Sequence, residues 1–387
     1  MHTIKDSIHQ DIELTDFDLA LIDTLPLQRL RRIKQMGFAH LVYPCATHSR
    51  FEHSIGTMHL AAALSAHLNF TQKTAQELKI AALLHDTGHF PFSHNPEIDC
   101  YIKETLNTDH ASLSAKLTET YYKDMITKAG LSTKHITDTI KGQGRYASIL
   151  SSGIDIDKMD YLVRDAYFTG TAYGLIDLSR LLCTTCFKKT LAFRIKGQRN
   201  IEAVIISRFM MYSTVYLHRT IKIASAMFGR AVTESFDNQT LDPQEFVRMD
   251  DIDLVSHLRK NKSHLMNCLD SRSLYKLASI LIVNDLSESQ LTKCASLKTQ
   301  ELKNIERDIE QKLNIPKDTL IIDIARKKTL EPIKIIDNEK LINLEDISEF
   351  SRSVMSQEWQ NWNIQFLVPQ KHRKKTESAN RLFLKYI

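Results

Sequence analysis

The chain has 387 residues, of which 43% are hydrophobic, and its formal net charge is +5. Glycine (11) and proline (8) are scarce, which favours a mainly helical globular protein. The basic excess suits anionic small molecules but is too diffuse to indicate nucleic-acid binding by itself. The sequence has neither an apolar run of ~18 residues nor a signal-peptide core, so we expect a cytoplasmic protein without a membrane partner.

Apolar residues at helical intervals predict the first elements of the chain. Helices are predicted over residues 17–36, 52–69 and 74–85. Gly88, Pro91 and Pro96 break this pattern and predict a loop over 86–97. The next predicted elements are helices at about 108–128, 133–141, 155–167 and 177–183, a short strand at 190–195 and a long helix near 200–230.

The second half of the chain has a different pattern. Residues 243–312 are predicted to be helical, and β-like segments follow at 318–324, 332–336 and 363–369. Residues 338–340 are typical of a hairpin turn, and 372–387 of a last helix. We therefore predict a helical catalytic lobe over 1–232 and a smaller α+β lobe over 233–387, the latter for oligomerisation or regulation.

The six cysteines are scattered along the chain, which does not resemble a disulfide framework. Cys183 and Cys186 form a lone C-x-x-C without a second pair to complete a zinc site. Reduced structural cysteines are therefore favoured over a metal or redox site.

The most informative stretch is HDTGHFPFSH, residues 85–94, which holds three histidines and an aspartate. Adjacent helical residues point ~100° apart, so His85 and Asp86 would need a terminal or distorted turn to bind one ion together. Gly88 supplies such a break. Imidazole and carboxylate ligands suit Zn, Mn, Fe or similar ions. Asp157 in GIDIDKMDY and His53 in RFEHS are candidate third and fourth ligands, although a single histidine is more often structural.

These motifs resemble the H…HD…D pattern of the HD superfamily. More narrowly, the chain is similar to the deoxynucleoside triphosphate triphosphohydrolases, which include the animal dNTPase with a sterile-alpha-motif domain and shorter bacterial homologues. The matching stretches are LQRLRRIKQMG (27–37), HSRFEHSIGTMHLA (48–61), ALLHDTGHFPFSH (82–94), GIDIDKMDYLVRDAYFTG (153–170) and VYLHRT (215–220). We expect no further domain before them, so the bacterial-type homologues are expected to be the closer likeness.

The resemblance implies an HD-domain helical bundle that cleaves the bond between the 5′ oxygen and the α-phosphorus, releasing a deoxynucleoside and triphosphate. It implies one divalent ion (Mn, Fe, Zn, Ni or Mg), held by His53, His85, Asp86 and Asp157.

The resemblance also implies roles for nearby side chains. His94 matches the general acid, with Glu97 as its carboxylate partner, and His89 and His110 match histidines beside the α-phosphate. Ala111 stands where the family often has glutamate, so the proton relay departs from the family pattern. A surface position for His110, next to an N-cap aspartate, stays open as the alternative.

The substrate positions follow in the same way. The phosphate-binding positions are matched by Arg50, Lys158, Tyr161 and His218, and the positions that bond the sugar 3′-hydroxyl by Gln35 and Asp165. Thr214 stands in place of a family arginine, and Lys222 in place of the tyrosine that blocks a 2′-hydroxyl. Ordinary surface pairing is the alternative for Lys158 and Tyr161, and a structural salt bridge to Asp160 is the alternative for Arg164.

Asp23, Gln28 and Arg31 have the spacing of an activator-nucleotide motif in the animal relative. The match implies an activator nucleotide and a homo-oligomer, either a dimer or an allosteric homotetramer; a polar face of an amphipathic helix is the alternative.

Two other functions stay open. One is an HD phosphohydrolase acting on a signalling nucleotide, a ribonucleotide or a nucleic-acid end. The other is a nucleotide-sensing or nucleic-acid-binding regulator without turnover, which would use the basic run KHRKK at 371–375.

Overall fold

The computed structural model describes residues 2–174, 176–324, 331–360 and 362–387. The α-helices are α1 (Asp16–Ile22), α2 (Leu25–Arg29), α3 (Arg50–His67), α4 (Gln72–Leu84), α5 (Pro96–Leu106), α6 (His110–Thr120), α7 (Lys123–Lys128), α8 (Thr133–Ile140), α9 (Ile156–Thr169), α10 (Leu178–Thr184), α11 (Gln198–Met211), α12 (Arg219–Asp237), α13 (Pro243–Phe246), α14 (Asp251–Lys260), α15 (His264–Asp270), α16 (Glu288–Ser296), α17 (Thr299–Leu313), α18 (Leu344–Ile347), α19 (Glu349–Gln360) and α20 (Ala379–Phe383). The strands are β1 (His2–Asp6), β2 (Gln10–Leu14), β3 (Thr185–Lys188), β4 (Thr190–Arg194), β5 (Lys276–Ile282), β6 (Ile321–Ile324), β7 (Lys334–Asp337), β8 (Lys340–Asn343) and β9 (Asn363–Val368). The predicted mainly α class is confirmed.

The chain forms two compact units, each built from three stretches of sequence. The first comprises residues 1–91, 109–215 and 330–355, and the second comprises 92–108, 216–329 and 356–387. The two units therefore do not follow a single boundary at residue 232. One reason is that the predicted hairpin, β7 and β8, pairs with β4 of the first unit, with Phe193 opposite Ile335.

The core of the first unit is built on α3 and α4. Ile55 and Met58 of α3 and Ile80 and Leu84 of α4 recur at intervals of three or four residues and are all buried. The hairpin of β1 and β2 adds Ile12 to the same cluster. Burial of this apolar face fixes α3, which carries part of the candidate site.

The second unit contains a three-stranded antiparallel sheet of order β5-β9-β6. The central strand β9 has a continuous buried run over 364–368, as expected for a strand covered on both faces. Phe366 of β9 meets Phe383 of α20 edge to face, with 5.6 Å between the ring centroids. This sheet and its helices confirm the predicted α+β character of the C-terminal region.

Several predicted elements are divided in the structure. The helix predicted over 17–36 is split into α1 and α2, because Pro26 lacks a backbone N–H and is tolerated only in a first helical turn. Pro96 likewise begins α5 rather than extending the predicted loop. The helix predicted near 200–230 is interrupted by a π-helical turn over Tyr212–Tyr216, between α11 and α12.

The all-helical prediction for 243–312 is wrong at β5, because a short apolar run such as KLASILI does not distinguish a strand from a buried helix. The predicted hairpin turn is confirmed, with Asn338 at φ 43° and Glu339 at φ 65°. The last predicted helix is reduced to α20 and two 3-10 turns. None of the described helices combines the length and apolar character that a membrane span requires.

Candidate metal centre and anion site

His53 and Arg50 lie on the first turn of α3. Ser49 caps this helix and forms a reciprocal capping box with Glu52, which fixes where α3 begins. Residues three apart share a helix face, so Arg50 and His53 point the same way. Both are almost completely buried, at 2% and 1% exposure.

His53 stands between two carboxylates of α9. Its Nδ1 lies 2.8 Å from Asp160 Oδ2, and its Nε2 lies 2.9 Å from Asp157 Oδ1. Burial lowers the pKa of His53, but the hydrogen bonds and charges of Asp157 and Asp160 outweigh burial and raise this pKa to about 10. The position between His53 and Asp157 therefore favours a positive charge, which a proton or a metal cation supplies.

His85 ends α4 with its ring held by the backbone. Its Nδ1 donates to the Ala82 carbonyl at 2.7 Å, which leaves the Nε2 lone pair facing outward from the helix. Nε2 lies 3.1 Å from Asp86 Oδ1 and 3.9 Å from Asp157 Oδ1, and it has no hydrogen-bond partner among the described residues. The His85 Nε2 lone pair and the two carboxylate oxygens are all acceptors, and a cation bound between them would satisfy all three.

His53, His85 and Asp157 each offer one ligand atom, and these atoms all lie within 4.8 Å of one another. Asp86, the fourth predicted ligand, contacts His85 as described. The sequence-predicted residues are thus brought together in the first unit, and their imidazole and carboxylate atoms suit a divalent metal ion.

Asp86 joins this cluster to Arg50. Arg50 Nη1 donates to Asp86 Oδ2 at 2.8 Å, and His89 Nε2 lies 3.1 Å from Asp86 Oδ1. Burial raises the pKa of Asp86, but the charges of His85, His89 and Arg50 outweigh it and hold this pKa well below its usual range. Asp86 is therefore an ionised carboxylate at neutral pH.

His89 and His110 form a stacked pair, with ring centroids 4.1 Å apart and an interplanar angle of 12°. The loop after α4 can pack closely on α6 because residue 88 is glycine. A β-carbon at position 88 would lie 2.2 Å from the backbone nitrogen of Ser114. Asp109 caps α6 as the alternative interpretation supposed, yet the His110 ring packs on His89. Burial lowers the pKa of both histidines, so both imidazoles are neutral at pH 7.

Buried or partly buried cations that could bind an anion include Lys158, Arg50 and Arg208. Lys158 follows Asp157 on α9 and donates to Asp155 Oδ2 at 2.7 Å. Burial lowers the pKa of Lys158, but Asp155 and Asp157 outweigh it and raise this pKa, so the amine stays charged. Arg50 Nε and Nη2 have no hydrogen-bond partner among the described residues, although both atoms are buried.

The third cation, Arg208 of α11, was missed by the sequence analysis. It is 6% exposed, and its charge acts on both Lys158 and Tyr161. The sequence offered one signal, SRFMMY, in which Arg208 and Tyr212 are four residues apart and can share a helix face. Thr214, which stands in place of the family arginine, donates its hydroxyl to the Met210 carbonyl at 2.5 Å.

The two predicted sugar-binding residues lie on either side of His48. The Gln35 backbone donates to the His48 carbonyl at 3.0 Å, and His48 Nε2 lies 2.8 Å from Asp165 Oδ1. The Gln35 Oε1 atom is buried without a hydrogen-bond partner among the described residues. Gln35 therefore offers an acceptor to a hydroxyl group.

His94, Glu97 and His218 belong to the second unit. His94 is exposed and has a left-handed backbone, φ 67°, which is uncommon for a residue other than glycine. Glu97 accepts from Arg230 at 2.8 Å and from Thr233 at 2.7 Å, and its predicted pairing with His94 stays a prediction. His218 caps α12 by accepting from the Thr220 backbone.

The remaining predictions involve surface and structural residues. Arg31 donates to Gln28 at 2.9 Å and stacks on Phe51 at 3.5 Å, while Asp23 is exposed at the end of α1. Their role in binding an activator stays a prediction. Arg164 forms the structural salt bridge with Asp160 that was its alternative interpretation.

Lys222 and the cysteines take simpler roles. Lys222 pairs with Asp323 at 3.0 Å within the second unit. All six cysteines are free, in agreement with reduced cysteines.

Comparison with known proteins adds two family matches. Residues 50–165 match the HD domain, and residues 176–386 match the HD associated region. The first match contains all four predicted ligands: His53 near its start, His85 and Asp86 in its interior, and Asp157 near its end.

Individual relatives agree with these matches. An uncharacterised protein of Methanocaldococcus jannaschii is 36% identical over 98% of this chain and 82% of its own length. The deoxynucleoside triphosphate triphosphohydrolase SAMHD1 homolog of Dictyostelium discoideum is 31% identical over 73% of this chain, which spans 60% of that relative. A solved hypothetical protein from Aquifex aeolicus superposes with a TM-score of 0.78 at 25% identity, covering 98% of this chain and 99% of its own.

Proposed function

Because this chain belongs to the HD-domain family, we propose that it is a metal-dependent phosphohydrolase that cleaves deoxynucleoside triphosphates to a deoxynucleoside and triphosphate. The observation that carries this proposal is Arg50, a buried guanidinium whose Nε and Nη2 lack partners among the described residues. Buried donors without acceptors cost roughly 1–3 kcal/mol each, so a ligand that supplies acceptors is strongly favoured. Arg50 contacts Asp86 of the metal centre, and an anionic phosphate beside the metal meets this requirement.

A triphosphate substrate is supported by the number of cations. Lys158 and Arg208 lie near Tyr161 and complement Arg50, so several phosphate oxygens can each meet a positive charge. The Dictyostelium relative, named for a triphosphohydrolase of deoxynucleoside triphosphates, supports the same substrate class. The acceptor of Gln35 and the carboxylate of Asp165 would bind the sugar hydroxyl.

The proposed ligands of the metal are His53, His85, Asp86 and Asp157. A divalent ion held there would supply Lewis-acid stabilisation of the charge that develops on the phosphoryl group. Arg50 would neutralise the same group through its unpartnered donors. The neutral His89 and His110 would hydrogen-bond to the α-phosphate without adding charge, because burial lowers the pKa of both rings. The leaving 5′ oxygen needs a proton from a general acid, which is the role that the sequence resemblance gives to His94.

The test is product analysis with the purified full chain. Each dNTP and NTP is incubated with Mn²⁺, singly and as a mixture, and the products are separated by ion-exchange chromatography. Asp157→Asn removes a proposed ligand, and Asp11→Asn is the matched control, because Asp11 is an exposed hairpin residue that pairs with the equally exposed Lys5.

Deoxynucleoside plus triphosphate, formed by the wild type and the control but not by Asp157→Asn, is the expected result. Activity that is seen only with the mixture would indicate that the enzyme also requires an activator nucleotide. Cleavage of ribonucleotides but not of deoxynucleotides would favour the alternative function, an HD phosphohydrolase that acts on ribonucleotides. No turnover of any of the eight nucleotides or their mixture would overturn the proposed substrate.

A further inference from the structure

The N-terminal hairpin reaches the candidate metal centre through its turn. His9 lies in this turn with a side chain only 6% exposed, and its Nε2 lies 2.7 Å from Asp160 Oδ1. The other oxygen of Asp160 is bonded to Nδ1 of His53 at 2.8 Å. A single carboxylate therefore links the hairpin turn to a proposed metal ligand.

A second link runs through Arg164. Asp6 accepts from Arg164 Nη1 at 2.8 Å, and its Oδ1 also accepts from the backbone N–H groups of Ile8 and His9 at 2.9 and 2.8 Å. Arg164 in turn donates to both oxygens of Asp160, from Nε at 2.8 Å and from Nη2 at 2.9 Å. The turn thus fixes Asp160 directly through His9 and indirectly through Asp6.

The space around Asp160 is filled as well. Gly56 lies one turn after His53 on α3, and a β-carbon at position 56 would lie 2.0 Å from Asp160 Oδ1 and 2.3 Å from Arg164 Nη2. Asp160 is fully buried. The Asp160 carboxylate is bonded to His9, His53 and Arg164 and packs against α3, so these contacts hold it in one orientation.

We propose that His9 is a positioning residue of the metal centre: it holds Asp160, which fixes the ring orientation and tautomer of His53 so that Nε2 faces Asp157. The inference rests on the proposed function, since it gives His9 a role toward the metal ion proposed there. Partners that orient a metal-binding histidine through its second nitrogen change metal affinity by about 10- to 100-fold. The N-terminal hairpin is then part of the active-site machinery as well as of the core.

Two substitutions separate positioning from packing. His9→Phe keeps a ring against His59, whose centroid lies 5.0 Å away, but removes the donor to Asp160. His9→Gln restores a donor on a smaller side chain. The matched control is His2→Gln, which makes the same chemical change in the same hairpin, where the His2 side chain lies 2.9 Å from the exposed Asp16.

The metal-stripped full chain is titrated with Co²⁺, whose visible absorption reports histidine coordination, and with Mn²⁺ by calorimetry. The expected result is that His9→Phe weakens binding of both ions by about 10- to 100-fold and alters the Co²⁺ spectrum. His9→Gln should lie between His9→Phe and the wild type, and His2→Gln should equal the wild type. Should His9→Phe fail to fold by circular dichroism, His9→Leu takes its place in the comparison with His9→Gln.

Equal affinities and spectra in the donor-less and donor-bearing variants would overturn the inference, even if both variants unfold at a lower temperature, because that pattern indicates packing alone. Failure of the wild type to bind either ion would overturn the proposed metal centre instead. The two failures are therefore distinguishable.

Discussion

The guanidinium carbon of Arg208 lies 4.8 Å from the ring centroid of Tyr212, one turn further along the chain. The helix changes from α to π at Tyr212, and this change follows directly after the turn that carries Arg208. Irregular helical turns of this kind are frequent at functional sites. The stack orients a buried cation that also influences Lys158 and Tyr161.

Arg208→Ala is expected to lower kcat/KM for a deoxynucleoside triphosphate by about 10- to 100-fold, because one phosphate would lose a charge-assisted contact. Steady-state kinetics checks this, with Arg199→Ala as the control on the same helix. Arg199 is 87% exposed and donates to Glu202 at 2.8 Å, so its loss removes an arginine from the same helix without removing a buried cation. Equal losses in the two variants would show that Arg208 has no special relation to the substrate.

The metal cluster could be predicted from sequence because its residues lie within short motifs. His85 and Asp86 are adjacent, and each distant ligand, His53 and Asp157, stands in a stretch with its own pattern. The local spacing of Arg208 and Tyr212 does not relate Arg208 to the other cations of the site. The neighbours of Arg208 on α9 come from about fifty residues earlier, and only the packing of α11 against α9 brings the charges together.

The same reason explains the errors in the fold. The local sequence pattern predicted α3, α4, α8 and α9 nearly in full, since each helix has an N-cap residue and an apolar stripe. It did not predict that β7 would pair with β4, because a parallel partner 142 residues away (Ile335 opposite Phe193) leaves no local signal. The role of His9 was hidden likewise, since Asp160 is 151 residues from it.

Removal of divalent metal is expected to lower the unfolding temperature of the wild type. A ligand that binds only the folded state stabilises it by about 2.7 kcal/mol at a concentration 100 times its Kd. Thermal scans in Mn²⁺ and in EDTA should therefore differ by several degrees for the wild type and for Asp11→Asn. Asp157→Asn should lose the difference, and an equal difference in that variant would place the stabilising ion elsewhere.

Gly56→Ala is expected to destabilise the first unit. In an open helix this change stabilises by about 0.5–1 kcal/mol, because alanine has less backbone freedom to lose. Here the new β-carbon would lie 2.0 Å from Asp160 Oδ1, so the buried carboxylate or the helix must shift, at a cost of about 1–3 kcal/mol. Urea unfolding of the metal-free chain measures the sign, and a gain in stability would contradict the observed packing of α3 on Asp160.

Glu306 makes the stability of the second unit depend on pH. Burial raises the pKa of Glu306 to about 7, although Arg230, which donates to it at 2.8 Å, opposes the rise. A carboxyl group whose pKa is higher in the folded state than in the unfolded state stabilises the fold at low pH. This stability is fully present below the unfolded value near 4.5 and is lost as the pH rises through about 7.

Glu306→Gln mimics the protonated side chain at every pH and keeps an acceptor for Arg230 and for the Ile322 backbone. The wild type should therefore lose stability relative to Glu306→Gln between pH 5 and pH 8, by an amount on the order of 3 kcal/mol. Urea unfolding at several pH values measures the difference. Glu377→Gln, at an exposed position of the same unit, should show none. If the difference between the wild type and Glu306→Gln instead stays constant over this range, the Arg230 ion pair outweighs burial, and Glu306 is ionised throughout it.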